Sequence, residues 1–178
     1  MNYCSQCGEP VRREVPPGDN RERDVCGSCG SIHYENPKIV VGCVPEFQGR
    51  VLLCRRAIEP RHGYWTVPAG FMENDETLAE AAARETWEEA RARVALGDLF
   101  AVVDVVQARQ VHVFFRGTMP AADHGAGEES LETRLFRPAE IPWDDVAFPS
   151  VTIALRRWLE VAGNPSPGVH LARAPRRG

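Results

Sequence analysis

Gly70-Phe71-Met72-Glu73-Asn74-Asp75-Glu76 runs without interruption into Thr77-Leu78-Ala79-Glu80-Ala81-Ala82-Ala83-Arg84-Glu85-Thr86-Trp87-Glu88-Glu89-Ala90-Arg91-Ala92-Arg93. From Thr77 to about Arg93 there is no Gly or Pro and a wealth of Ala, Glu and Arg, which predicts the best helix in the chain. At about 100° per residue, Glu85, Glu88 and Glu89 fall on one face of that helix. The opposite flank carries Ala79, Ala83, Thr86 and Ala90, all small enough to let the helix lie close against a sheet. One face is therefore expected to pack and the other to concentrate negative charge.

Concentrating carboxylates is costly. Two unit charges 4 Å apart repel by about 4 kcal/mol at an effective dielectric of 20. Hard divalent cations with oxygen ligands offset such repulsion, and a cation of this kind also lowers the pKa of a bound water. Glu-Glu on an Ala/Glu/Arg helix is by itself an ordinary solvated face. Here, however, a Gly-bearing loop enters the helix directly, Glu76 stands at its start, and Arg84 is spaced to reach back toward Glu76.

Outward from the helix the pattern is mixed α/β. Lys38 to Val44 and Arg50 to Cys54 are β-branched runs joined by Pro45-Glu46-Phe47-Gln48-Gly49, a hairpin connection. Trp65-Thr66-Val67 is a short strand stopped by Pro68, which cannot donate to a ladder. Leu99 to Val106, Val111 to Arg116 and Leu135-Phe136-Arg137 are further strands. Ser150 to Val161 is a second helix with Gly163 beyond its end. Strands, helix, strands, helix is not a regular βαβ repeat. Gly163 to Gly178 holds three prolines, three arginines and no acid, and reads as a flexible basic tail.

Residues 1–36 are too poor in apolar side chains to build a core and require a staple. Cys4-x-x-Cys7 and Cys26-x-x-Cys29 supply one: two such pairs match a Cys₄ structural zinc site, and Gly8 and Gly30 follow each second cysteine as zinc knuckles require. Four protein ligands leave no open position, so this Zn²⁺ is structural. Cys43 and Cys54 sit in apolar runs and read as inert core thiols. Across the ribbon, Arg12, Arg13, Arg21 and Arg23 face Glu9, Glu14, Asp19, Glu22, Asp24 and Glu35, which makes no basic surface. The whole chain carries a formal net charge of −4 over 178 residues, so a nucleic-acid partner is not expected, although a nucleotide is still compatible if cations carry its phosphate charge. No apolar run approaches the ~20 residues of a membrane span and no signal segment is evident, so a cytoplasmic protein without a membrane partner is expected.

The segment Gly70 to Ala92 resembles the Nudix box, G-x₅-E-x₇-R-E-U-x-E-E-x-G-U with U a bulky aliphatic, through Gly70, Glu76, Arg84, Glu85, Glu88 and Glu89. Thr86, Arg91 and Ala92 depart from it. Arg91 stands at the box glycine, so the helix is expected to run slightly longer. The ribbon, Asn36 to Cys43, Val51 to Arg56, His62 to Gly70, Glu128 to Phe136 and Ala147 to Ser150 are similar to zinc-ribbon Nudix hydrolases, above all the plant-type FAD and ADP-ribose pyrophosphatases. The resemblance implies three regions: a Cys₄ zinc ribbon at 1–36, a Nudix α/β/α sandwich at 37–162 and a tail at 163–178. It also implies a homodimer and a catalytic Mg²⁺ or Mn²⁺ held by Glu85, Glu88, Glu89 and the backbone of Gly70. Arg84 would orient the cluster through Glu76, and Glu129, with Glu132 behind it, would assist; Glu73 is a further possibility. Arg56, Trp65 and Phe71 are the expected substrate contacts, with Tyr64 another aromatic able to stack a base.

The implied reaction splits the diphosphate of FAD or ADP-ribose into AMP and a second phosphate. Zinc-ribbon NADH pyrophosphatases are the nearest alternative, but their S-Q-P-W-P-F-P-x-S segment has no counterpart in Asp98 to Gln107. A non-catalytic ADP-ribose sensor is the other, although sensors of this kind typically have a broken box.

Overall fold

The computed structural model describes residues 1–164 and 168–175 and divides into two compact units, Met1–Pro37 and Lys38–Gly178. The first unit is a three-stranded antiparallel sheet of β1 (Val11–Glu14), β2 (Arg23–Cys26) and β3 (Ile32–His33), in that order. Its buried apolar side chains are Cys4, Pro16, Val25 and Cys26, too few to hold it without a cross-link.

The second unit is built on a mixed sheet. β4 (Lys38–Phe47) and β5 (Arg50–Arg56) are joined by Gln48 and Gly49, both left-handed (φ 50° and 74°), the conformation that a two-residue hairpin turn requires. The two strands pair only at Glu46↔Val51 and Phe47↔Arg50 and then diverge. In the gap, β5 takes up β6 (Trp65–Thr66) and β4 takes up β7 (Ala69–Phe71), the latter through Val40↔Phe71, Val41↔Gly70 and Gly42↔Ala69. That divergence places Gly70 inside the sheet and aims the chain directly into α1 (Leu78–Ala90). β8 (Ala95–Val105), β9 (Gln110–Thr118), β10 (Ser130–Phe136), α2 (Pro149–Glu160) and β11 (His170–Arg173) complete the unit. The strand order is β10-β5-β4-β9-β8-β11, with β4 parallel to β9 and β11 parallel to β8.

The period-2 alternation of the strands sorts the core into two layers. Leu52 and Cys54 of β5 pack with Ala90, Ala92 and Met119, and Val41 of β4 with Ala81 and Ala82. Val51, Leu53, Val44, Phe100 and Phe114 point the other way, onto Ala154, Leu155 and Trp158 of α2. The sheet is thus sandwiched between the helices, each fully buried aliphatic contributing about 1.5–3 kcal/mol of burial. Cys43 and Cys54 are buried, and burial pushes the Cys43 thiol up to about 12. Among the described residues, no helix is long and apolar enough to cross a membrane.

Three expectations need correction. α1 ends at Ala90 rather than running past Arg91: Arg91 adopts the left-handed conformation itself (φ 48°, ψ 25°), and its N–H donates to the Trp87 carbonyl at 2.9 Å. A non-Gly residue there costs of order 1–2 kcal/mol. Nor do the packing and acidic faces of α1 lie opposite each other. Ala79 and Ala83 are exposed, whereas Ala81, Ala82, Thr86 and Ala90 are buried together with Glu85 and Glu89. The supposed flexible tail holds an ordered strand: Leu171 and Ala172 pair with Val102 and Val103, and Ala174 is buried. An edge strand needs only main-chain groups to join a sheet, so its basic composition concealed it. Pro165, Pro167, Arg176 and Arg177 of that segment lie outside the described residues.

Candidate active site

α1 is fixed at its start by a capping box. The Glu80 N–H donates to Thr77 Oγ1 at 3.2 Å, and the Thr77 N–H donates to Glu80 Oε2 at 2.8 Å. With the helix register set, Arg84 reaches five acceptor oxygens. Its Nε and Nη2 donate to the two oxygens of Glu76 at 2.9 and 2.7 Å, and its Nη1 donates to Glu85 Oε1 at 2.8 Å and Glu88 Oε2 at 2.9 Å. Nη2 also reaches the Phe71 carbonyl at 3.1 Å. The fork holds the Glu76 carboxyl down near 2. Glu76 in turn accepts from the Glu73 N–H at 2.8 Å, tying the entering loop to the helix.

Glu89 turns the other way. It is 6 % exposed, and its Oε2 accepts from the Ala69 N–H at 3.0 Å. Burial pushes its carboxyl up to about 8, despite that hydrogen bond. Burial raises Glu85 as well. A Cβ on Gly70 would overlap the Glu85 carboxylate, so a side chain here would push that carboxylate out of its place against β7. The result is an oxygen-rich recess in which two carboxylates are held against β7 with less solvation than they need. Oxygen donors that are hard, crowded and poorly solvated suit Mg²⁺ or Mn²⁺. Glu85, Glu88 and Glu89 are nevertheless not drawn together as tightly as a closed metal site. Among the described residues, only the four cysteines place three or more ligating side chains within 4.8 Å of one another. Arg84 stands in for a cation at Glu85 and Glu88.

Gly70, Glu85, Glu88 and Glu89 line a cleft of about 1250 Å³. Its lining includes Glu85, Glu88, Glu89, Glu73, Glu128 and Glu129 together with Arg56 and Arg61. The register of β7, β4 and β9 sets three other lining residues, Phe71, Val40 and His112, side by side on adjacent strands. His112 is buried and holds Ser150 Oγ at 2.9 Å through Nδ1 and Gln110 Oε1 at 2.9 Å through Nε2. Burial lowers its pKa to about 4, so the ring is neutral near pH 7.

The expected substrate contacts separate on inspection. Phe71 is 48 % exposed at the cleft, with the Lys38 ammonium 5.1 Å from its ring centre. Arg56 lines the cleft and lies over the Phe148 ring at 5.1 Å. Trp65 does not line it. Its ring stacks edge-on against Phe136 at 4.8 Å within the core on the α2 side, so the expectation of a base-stacking role is corrected to one of packing. Tyr64 is likewise absent from the lining and is covered by the Arg61 guanidinium at 5.1 Å. Of the later glutamates, Glu129 faces the cleft and its charge acts on both Glu85 and Glu89, whereas Glu132 pairs with Arg55 at 3.3 Å, away from the lining. The His112, Gln110 and Ser150 grouping escaped the sequence reading because its members come from β9 and α2, with no local motif to mark them.

In the first unit, Cys4 Sγ and Cys29 Sγ are 3.6 Å apart, and Cys7 Sγ lies 3.5 Å from both Cys26 Sγ and Cys29 Sγ. A tetrahedron of Zn–S bonds of about 2.3 Å requires S···S separations of about 3.8 Å, so the four thiols fit a zinc ion. Gly8 and Gly30 take positive φ (78° and 72°), and the Gln6 and Cys29 N–H groups donate to Cys4 Sγ and Cys26 Sγ. His33 Nε2 comes within 3.2 Å of Cys4 Sγ, as an outer-shell partner of a thiolate does.

Comparison with known proteins agrees with both units. Residues 2–35 match the family model described as Nudix N-terminal, a zinc ribbon, and residues 36–159 match the one described as NUDIX domain. A crystal structure of a NUDIX hydrolase from Nitrosomonas europaea is 49 % identical with a TM-score of 0.92, covering 97 % of this chain and 98 % of that one. An ADP-ribose pyrophosphatase from Streptococcus suis is 18 % identical with a TM-score of 0.63, over 78 % of this chain and 99 % of that one, which speaks to the fold alone. Phosphatase NudJ of Escherichia coli K12 is 47 % identical over 53 residues, 30 % of this chain; the match spans about a third (34 %) of that curated relative.

Proposed function

The chain belongs to the Nudix family, behind a Nudix-type zinc ribbon, and from that premise we propose a divalent-cation-dependent pyrophosphohydrolase. Its substrate is a nucleoside diphosphate derivative of the ADP-ribose or FAD type, cut at the diphosphate to give AMP and a second phosphate. The observation that carries this reading is the recess of Glu85 and Glu89 against Gly70. Two carboxylates are crowded there, their pKa values raised by burial, in the wall of a cleft large enough for a ligand with two ring systems. Common small-molecule sites are about 300–1,000 Å³.

The Gly70 carbonyl, Glu85, Glu88 and Glu89 would hold Mg²⁺ or Mn²⁺. When bound, the cation neutralises the diphosphate and makes a coordinated water more acidic. The chain's own groups do the rest. Arg84 holds the register of Glu85 and Glu88 and is anchored in turn by Glu76. Arg56 supplies positive charge for a phosphate in the cleft. Glu129 accepts the proton of the attacking water as the new P–O bond forms and the P–O bond to the bridging oxygen breaks. Phe71, Val40 and neutral His112, side by side in the lining, offer a surface for a ring. A homodimer in the cytoplasm, with no nucleic-acid or membrane partner, completes the reading; the net charge of −4 supports the part of it that concerns nucleic acid.

AMP release from ADP-ribose, FAD and NADH, each with Mg²⁺ or Mn²⁺, tests it beside a Glu89→Gln control. Turnover of ADP-ribose or FAD that is lost in the control is expected. Preference for NADH would overturn the substrate class. Tight ADP-ribose binding without turnover would favour a sensor.

A further inference from the structure

The end of α1 is closed by another part of the chain. Beyond Ala90 the backbone leaves the helix through left-handed Arg91, which satisfies the Trp87 carbonyl and leaves those of Glu89 and Ala90 facing outward. The loop before β10 covers them. The Gly125 N–H donates to Ala90 O at 2.8 Å, and the Gly127 N–H donates to Glu89 O at 3.0 Å. Two residues later the Glu129 carbonyl accepts from the Ala57 N–H at 2.8 Å, so this loop is tied at one side to α1 and at the other to the end of β5.

The two glycines do different work. Neither has a positive φ, so neither is present for backbone freedom. A Cβ on Gly125 would meet nothing nearer than Arg91 Cβ at 3.9 Å, an ordinary contact. A Cβ on Gly127 would overlap the backbone carbonyl oxygen of Glu88 and crowd Glu89 Cα. Backbone cannot swing aside as a flexible side chain can, so any side chain at 127 lifts the loop from the helix.

We propose that Gly127 is a positioning residue whose missing side chain lets the loop latch onto the C-terminal end of α1, setting Glu129 across the cleft from Glu85 and Glu89. This rests on Glu129 acting in the hydrolysis proposed above. The latch also closes the last turn of α1, since the carbonyls of Glu89 and Ala90 are satisfied from outside the helix.

Two measurements test it. In the zinc-loaded wild type without added Mg²⁺ or Mn²⁺, amide exchange followed by NMR should be slowed at Gly125 and Gly127 relative to neighbouring loop positions; exchange at free-loop rates overturns the latch whatever the enzyme's substrate. In steady-state kinetics with whichever diphosphate the wild type turns over, Gly127→Ala should lower kcat by about tenfold or more, the scale of a displaced general base, with KM within about twofold. Gly125→Ala should stay within about twofold in both. Gly127→Ala combined with Glu129→Gln should be no slower than the slower single variant, since both remove one contribution. Wild-type kcat in Gly127→Ala, or losses that multiply in the double variant, overturns the proposal. Failure of the wild type to turn over any diphosphate would refute the function and leave the exchange result to decide the latch.

Discussion

Arg84 and Glu76, eight residues apart and on either side of the helix start, face each other through two parallel hydrogen bonds of 2.9 and 2.7 Å, while the third guanidinium nitrogen reaches Glu85 and Glu88. The pairing is geometric as well as electrostatic, because only a planar fork can serve both oxygens of Glu76 and still spend a nitrogen on the helix acids.

Arg84→Lys keeps the charge and loses the fork. It should fold with a melting temperature within a few degrees of wild type, yet lower kcat by about 10- to 100-fold, as loss of an orienting partner of metal ligands does. A kcat unchanged in Arg84→Lys would show that charge alone suffices.

Glu89 illustrates a site kept at the expense of stability. Its carboxyl is buried beside Glu85, with one main-chain donor. In the absence of divalent cations Glu89→Gln should therefore melt at or above the wild-type temperature near pH 8, by up to a few degrees. Addition of Mg²⁺ should raise the wild-type melting temperature and leave the variant's unchanged. Thermal scans with and without Mg²⁺ check both halves.

The ribbon offers a separate test. With so few apolar residues buried, residues 1–37 should depend on zinc for their fold, and metal affinity and folding free energy should be one quantity. Native mass spectrometry should find one zinc per chain. Cys4→Ser should lose it, and amide exchange should then accelerate across 1–37. Full protection of that segment after strong chelation would contradict the role of zinc.

His112 gives a pH dependence of defined sign. Its folded pKa is lowered by burial to about 4 from 6.5, so between these values the unfolded chain binds more protons than the folded one. The contribution of neutral His112 is fully present above about pH 6.5 and is lost as pH falls toward 4, a loss of about 3 kcal/mol. His112→Gln should flatten the pH dependence of melting over that window. A steeper dependence in the variant would contradict the burial assignment.

Much of this was legible because the relevant spacings are local. Glu76, Arg84, Glu85, Glu88 and Glu89 lie on one short helix and its entering loop, and two Cys-x-x-Cys pairs declare themselves. What stayed hidden depends on contacts distant in sequence. Helix periodicity grouped Ala79 and Ala83 with the packing face, but the sheet covers Ala81, Ala82 and Thr86, and with them Glu85 and Glu89; only the tertiary contact reveals that two of the acids are desolvated. The strand Ala69–Phe71 was invisible as a strand because its ladder forms in the gap between β4 and β5. His170–Arg173 joined the sheet through its backbone, and the latch between Gly127 and Glu89 spans 38 residues with no sequence pattern to announce it.

The central claim is that Glu85, Glu88 and Glu89 gather a divalent cation on α1. Mn²⁺ titration of the zinc-loaded protein, with free Mn²⁺ counted by electron paramagnetic resonance, tests it without any substrate. Wild type should take up Mn²⁺, and a Glu85→Gln/Glu89→Gln double variant should take up none over the same range. Equal uptake by the two proteins would contradict it.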